Sequence, residues 1–149
     1  MKRLHIHIAV EDLDTSTRFY SAMFGGVAPT VEKAEYRKWE LDDPRVNFAI
    51  SKRGVSPGID HLGIQVETEA ELAEMRARFA SAEVPTMDQP GTTCCYAKSD
   101  KSWTVDPQGV AWETFQTLEA APTYGQSRHD SEATSSCCAP VPSTISSGS

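Results

Sequence analysis

The chain has 149 residues, 39% of them hydrophobic, which suits one domain with a modest core. Its formal net charge of -7 argues against nucleic acid, which calls for a basic stripe. No apolar run reaches the roughly 18 residues needed to span a membrane. The four cysteines fall in two adjacent pairs, Cys94-Cys95 and Cys137-Cys138, a pattern of reduced, metal-reactive thiols in a cytoplasmic setting rather than of disulfide staples.

From the N-terminus, Leu4 to Val10 alternates as a half-buried strand and is expected to carry no signal peptide. Asp12 to Thr15 offers helix-capping side chains. Phe19, Tyr20, Met23 and Phe24 then repeat at helical spacing until Gly25-Gly26. Short strands follow around Tyr36–Leu41 and Val46–Ile50, separated by the turn Asp42-Asp43-Pro44. Gly54 to Gly58 reads as a linker, after which the pattern restarts. His61 to Val66 is a strand. Thr68 to Glu71 is a capping box, and Leu72, Met75 and Phe79 form the apolar face of a helix. A loop around the cysteines, a strand near Ser102–Val105, the turn Asp106-Pro107-Gln108-Gly109 and a strand Val110–Thr117 complete the second half. The Ser- and Pro-rich segment 119–149 is expected to be disordered.

The restart is an internal repeat. His5 and His61 lie 56 residues apart, as do Ile8 and Ile64, Val10 and Val66, and Pro29 and Pro85. Asp43-Pro44 matches Asp106-Pro107, and Asn47-Phe48-Ala49 matches Ala111-Trp112-Glu113. Each half therefore reads strand–helix–three strands. The fold expected is α+β: two βαβββ modules, about 1–53 and 59–118, forming a cup-shaped mixed β-sheet with flanking helices.

Equivalent positions should meet near a pseudo-twofold axis, so His5 and His61 should converge. Glu113 is the late counterpart of Ala49. Two imidazoles, one carboxylate and open positions form the constellation of non-haem Fe(II) oxygen chemistry, although Zn, Mn, Ni or Co also suit it. His7 competes with His5, since alternate strand residues share a face, but the repeat aligns His7 with Gly63. The pair Cys94-Cys95 offers two soft thiolates to one thiophilic atom, provided the backbone bends there, and Gly91 suggests a loop. Tyr96, Trp103 and Trp112 are candidates for an apolar mouth, with core packing as the alternative. Lys101 could lower thiol pKa values, although a solvated lysine is the expectation.

Three motifs resemble the vicinal oxygen chelate (glyoxalase/bleomycin-resistance/extradiol dioxygenase) superfamily over roughly residues 1–118. They are His5 followed by Val10-x-Asp12-Leu13-x-x-Ser16-x-x-Phe19-Tyr20, Asp60-His61-Leu62-Gly63, and Asp106-Pro107-x-Gly109-x-x-Trp112-Glu113. Thr93-Cys94-Cys95-Tyr96-Ala97 with Asp100-Lys101-x-Trp103 looks like the ArsI-type C–As lyases, a group that includes cadmium-induced (CadI) proteins. That resemblance implies Fe(II) as cofactor, O2 as co-substrate, and His5, His61 and Glu113 as catalytic metal ligands. It also implies that Cys94 and Cys95 bind a trivalent organoarsenical, from which arsenite is released. Some relatives carry Gln at the first ligand, where this chain has His5. Two other readings stay open: thiol-based cadmium or arsenite sequestration without catalysis, and another glyoxalase- or dioxygenase-type reaction. The expected partner is the small molecule, with neither nucleic acid nor membrane, and a homodimer is one option. The tail pair Cys137-Cys138 lies outside the matched motifs, either inert or delivering arsenicals to the site.

Overall fold

The computed structural model describes residues 1–120 and Gly125. The Cys137-Cys138 pair and the rest of the expected disordered tail lie outside the described residues, except Glu119 and Ala120, which belong to the last strand, and Gly125, which forms an isolated bridge with Cys94. The element order is β1 (Arg3–Ala9), α1 (Leu13–Met23), β2 (Val31–Lys33), β3 (Tyr36–Asp42), β4 (Arg45–Ser51), then β5 (Gly58–Val66), α2 (Glu69–Ser81), β6 (Met87–Cys94), β7 (Ala97–Val105) and β8 (Ala111–Ala120). All eight strands share one mixed sheet in the order β2-β3-β4-β1-β5-β8-β7-β6. It is the predicted pair of βαβββ modules, joined by the antiparallel pairing of β1 with β5.

The register makes the repeat physical. Ile6 pairs with Leu62 across the module boundary, Ile6 with Phe48 inside the first module, and Leu62 with Trp112 inside the second. The pseudo-twofold axis therefore passes between Ile6 and Leu62, one residue from each predicted histidine. Because strand side chains alternate, β1 sends Ile6 and Ile8 to the outer face and His5 and His7 to the inner one. On the outer face of the first module, Trp39, Phe48 and Ile50 pack with Tyr20 of α1 and with Phe24 at its C-cap.

Both helices start as their sequences indicate. The Asp12 side chain accepts the Thr15 N–H at 2.6 Å, and Thr68 Oγ1 accepts the Glu71 N–H at 3.1 Å. The expected apolar face of α1 is narrower than its spacing suggests. Phe19 and Met23 remain 59% and 60% exposed, while Tyr20 and Phe24 reach the sheet. No helix among the described residues is long and apolar enough to cross a membrane.

The largest departure from expectation is at the cysteines. Instead of a loop, β6 runs through Pro90 and Gly91 to Cys94, paired with β7. A register shift between Gln89 and Thr92 absorbs the two strand-breaking residues, and Gly91, at φ +58°, donates its N–H to Asp100 Oδ1 at 2.6 Å. Pairing to a long partner strand overrides the local signal.

Candidate functional site

Three of the predicted residues meet on the inner face. His5 Nε2 lies 3.1 Å from His61 Nε2 and 3.2 Å from Glu113 Oε1, and His61 Nε2 lies 3.5 Å from the same oxygen. All three side chains are buried. Each imidazole is oriented through its other nitrogen. The Asn47 carbonyl can only accept, so His5 Nδ1 carries a proton and donates it there at 3.0 Å. His61 Nδ1 donates to Asp60 Oδ1 at 2.6 Å. Both Nε2 atoms are thus turned toward Glu113, and this second-sphere support is what metal-binding histidines characteristically have.

Gly63 explains how the carboxylate fits. It pairs with Glu113, and a Cβ at position 63 would sit 2.4 Å from the Glu113 carbonyl oxygen and 2.9 Å from its Cγ. At the equivalent place in the first module the sizes are reversed, with His7 paired to Ala49.

Burial lowers the His5 pKa to about 3, and neighbouring His61 and His7 reinforce it against the pull of Glu113. Burial also opposes charge on His61, but Glu113 and the bond to Asp60 outweigh it and raise the value to about 9. Desolvation alone would raise Glu113; Lys101 and the two histidines instead hold it below the ordinary carboxylate range. Without a cation, the cluster therefore carries its proton on His61.

The donor set fits a divalent cation. Two neutral-capable nitrogens and one carboxylate oxygen converge on a common point, and three donors leave positions open. His7 forms a second combination, since donor atoms of His5, His7 and His61 all lie within 4.8 Å of one another. Its Nε2 is engaged by Ser51 Oγ at 2.8 Å, and an all-imidazole set lacks the negative charge that Glu113 supplies.

The cysteines approach from the tip of the β6–β7 hairpin. Cys94 pairs with Ala97, and the two residues between them, Cys95 and Tyr96, take φ of +54° and +59°. This is the primed two-residue turn, here made without glycine. It bends the backbone so that Cys94 Sγ and Cys95 Sγ stand 3.3 Å apart, with no disulfide at either. The bond from Cys94 lowers the Cys95 pKa well below the usual thiol range; burial opposes it, and His7 and Lys101 add to it. Both cysteines line one small cavity, of about 30 Å³, together with His5, Glu113, Tyr36 and Lys101. The soft pair and the hard donors face the same space.

A model of the Glyoxalase/Bleomycin resistance protein/Dioxygenase superfamily matches residues 2–114. The chain belongs to this superfamily. Among its relatives, a "Trivalent organoarsenical cleaving enzyme" of Bacillus sp. (strain MD1) is 39% identical over 120 residues, covering 78% of this chain and 74% of that one. A "Probable trivalent organoarsenical cleaving enzyme" of Bacillus subtilis (strain 168) is 34% identical and covers 100% of this chain and 99% of its own. "Cadmium-induced protein CadI" of Mycobacterium tuberculosis (strain ATCC 25618 / H37Rv) is 33% identical over 93% of each chain. The fold is shared with a Mn(II)-bound glyoxalase from Novosphingobium aromaticivorans, with a TM-score of 0.58, 16% identity, and coverage of 87% of this chain and 44% of that one. It is also shared with an extradiol ring-cleaving dioxygenase from B. fuscum, with a TM-score of 0.59, 18% identity, and coverage of 80% and 33%.

Within this superfamily cup, the predicted aromatic trio divides. Trp103 is buried with its ring against His61, 5.1 Å between centroids, and its Nε1 donates to Gln89. Tyr96 lies at the hairpin turn, packed on Tyr36 and bonded to Glu35. Trp112 faces the opposite side of the sheet, because it neighbours an inward Glu113 on an alternating strand, and it lines a cavity of about 450 Å³ beneath α2. Lys101 corrects the expectation of a solvated lysine. It is only 4% exposed, with Nζ 3.1 Å from Glu113 Oε2. Asp60, adjacent to His61 in sequence, gave no separate signal of its role.

Proposed function

We propose that the protein is a metal-dependent enzyme that cleaves the carbon–arsenic bond of trivalent organoarsenicals and releases arsenite. The supporting observation is the pair of thiols, 3.3 Å apart, in the same cavity as His5 and Glu113. The organoarsenical-cleaving relatives support it independently. His5, His61 and Glu113 would hold the metal, taken as Fe(II), which when bound supplies a route for O2 to oxidise the substrate.

The chain's own contribution begins at the thiols. An R–As(OH)2 molecule condenses with Cys94 and Cys95; two S–H and two As–O bonds break, two As–S bonds form and two waters leave. The lowered Cys95 pKa favours the thiolate that starts this exchange. Trivalent arsenic then has one bond left, the As–C bond. The cavity that both cysteines share with His5 and Glu113 is where that bond would lie. Holding the two reactants in one small space is the effective-concentration part of catalysis. Asp60 fixes the His61 ring throughout.

The test is turnover of methylarsonous acid or a trivalent aryl arsenical by Fe(II)-loaded protein, with and without air. Arsenite formation that needs both metal and O2 is expected; arsenite appearing equally without metal defeats the proposal. The cadmium-induced relatives favour a second reading, soft-metal sequestration by the cysteines alone. On that reading Glu113→Ala leaves metal tolerance intact, whereas catalysis requires tolerance to organoarsenicals to fall.

A further inference from the structure

Lys101 is a buried cation whose place in the site has a specific geometry. The two oxygens of Glu113 are divided between partners: Oε1 lies 3.2 Å from His5 Nε2 and 3.5 Å from His61 Nε2, while Oε2 lies 3.1 Å from Lys101 Nζ. The ammonium sits over the rings of Trp103 and Phe115, 5.8 and 5.6 Å from their centroids, which steadies it where water is scarce. Its backbone is also tied, since the Lys101 carbonyl accepts from Arg76 Nη2.

The internal repeat shows that the lysine and the glutamate come as a unit. On the shared register, Tyr36 pairs with Ser51 where Lys101 pairs with Phe115, and His7 pairs with Ala49 where Gly63 pairs with Glu113. The first module thus has Tyr36 and Ala49 where the second has Lys101 and Glu113. Stability does not account for the substitution, because a buried ion pair is often no better than apolar residues of similar volume.

We propose that Lys101 is a positioning residue that restricts Glu113 to one-oxygen metal binding, and so keeps open the coordination position that a two-oxygen carboxylate would fill. Positions beyond those held by His5, His61 and Glu113 would then stay open for an oxidant and a substrate atom together. The same ammonium repels the cation it helps to arrange, so Lys101 trades metal affinity for open coordination. This inference rests on the metal half of the proposed function and not on the identity of the arsenical.

The experiment uses Co(II) as a spectroscopic stand-in, with the full chain and no arsenical. Lys101→Met is expected to bind Co(II) about tenfold more tightly, because a like charge close to the cation is removed, with weaker visible bands that mark a higher coordination number. Lys101→Arg keeps the wild-type spectrum. Turnover of Fe(II)-loaded Lys101→Met falls with little change in KM. A merely structural lysine predicts the reverse, weaker metal binding along with weaker turnover. If Lys101→Met does not fold without metal, the wild type still decides: metal-induced infrared carboxylate bands should show the splitting of one-oxygen binding. Two-oxygen splitting in the wild type, or unchanged or weakened Co(II) binding in Lys101→Met, overturns the role. A wild type that takes up no Co(II) removes the metal reading as well, whereas failure to cleave an arsenical alone leaves Lys101 testable.

Discussion

The two modules share a backbone plan and differ in what they place on it. His5 and His61 occupy equivalent positions, yet Leu4 precedes the first and Asp60 the second. The first module gives Ala49 and Tyr36 to the inner face, and the second gives Glu113 and Lys101. On the outer face the contrast inverts. Trp39 pairs with Phe48 and fills the first module's core, whereas Thr104 pairs with Trp112 and leaves the cavity beneath α2. The first module is the better packed and the second the more chemically equipped. Duplication supplies the symmetry that brings two histidines together; divergence in one copy supplies the charge.

The largest effect comes from making the second module resemble the first. Glu113→Ala should abolish turnover and cost about 3–5 kcal/mol, because it strands the Lys101 ammonium in a buried site. Adding Lys101→Tyr reproduces the Ala49 and Tyr36 combination and should restore most of that stability without restoring metal binding. Denaturant melts of both variants and metal titration decide it. If the double variant is as unstable as the single one, the two residues are not a matched pair. Gly63→Ala should come next, with a loss of about 1–3 kcal/mol and weaker metal uptake, since the new Cβ meets Glu113 at 2.4 Å. Wild-type metal affinity in Gly63→Ala would show that Glu113 can move without consequence.

The differing neighbours of the two histidines predict a pH signature in the metal-free protein. The folded-state pKa of His61 is about 9, above its ordinary 6.5, so its stabilisation is complete below about pH 6.5 and is lost as pH rises through 9. The amount is on the order of 3 kcal/mol. Cys95, depressed in the folded state, contributes with the opposite sign over the same range. The His61 share is therefore read as the difference between wild type and His61→Asn, which should shrink between pH 6 and 9.5. His5 is shifted the other way, to about 3, so it costs stability as pH falls from about 6.5 toward 3 and contributes nothing to the change above that window. A gap that stays constant or widens contradicts the assignment of the proton to His61.

Much of this was legible before any coordinates. The repeat spacing gave the βαβββ plan and the convergence of His5, His61 and Glu113, because strand register is a sequence property once two copies can be aligned. The cysteine hairpin was not legible. Its turn lacks the Asn-Gly or Asp-Gly that usually marks two left-handed residues, and Cys95 and Tyr96 adopt that conformation only under tertiary constraint. The burial of Lys101 is hidden in the sequence for a related reason. A lone lysine on an alternating strand looks solvated until the strand across from it is seen to bring a buried carboxylate to its tip.

The outer-face difference gives the smallest effect and the cleanest separation of packing from chemistry. Thr104 stands where the first module has Trp39, and the apolar side chains of Ile64, Met75, Phe79 and Trp112 surround the cavity of about 450 Å³ beside it. Thr104→Trp would add burial worth about 2–3 kcal/mol. It would lose the bond from Thr104 Oγ1 to the Pro85 carbonyl, worth about 1 kcal/mol. A net gain of about 1–2 kcal/mol is expected in a denaturant melt. Side chains at 104 and 112 point away from His61 and Glu113, so metal affinity and turnover should not change. A stabilised variant with altered metal binding would mean that the packing of the outer face sets the geometry of the inner one, and that the looser second module is part of the site.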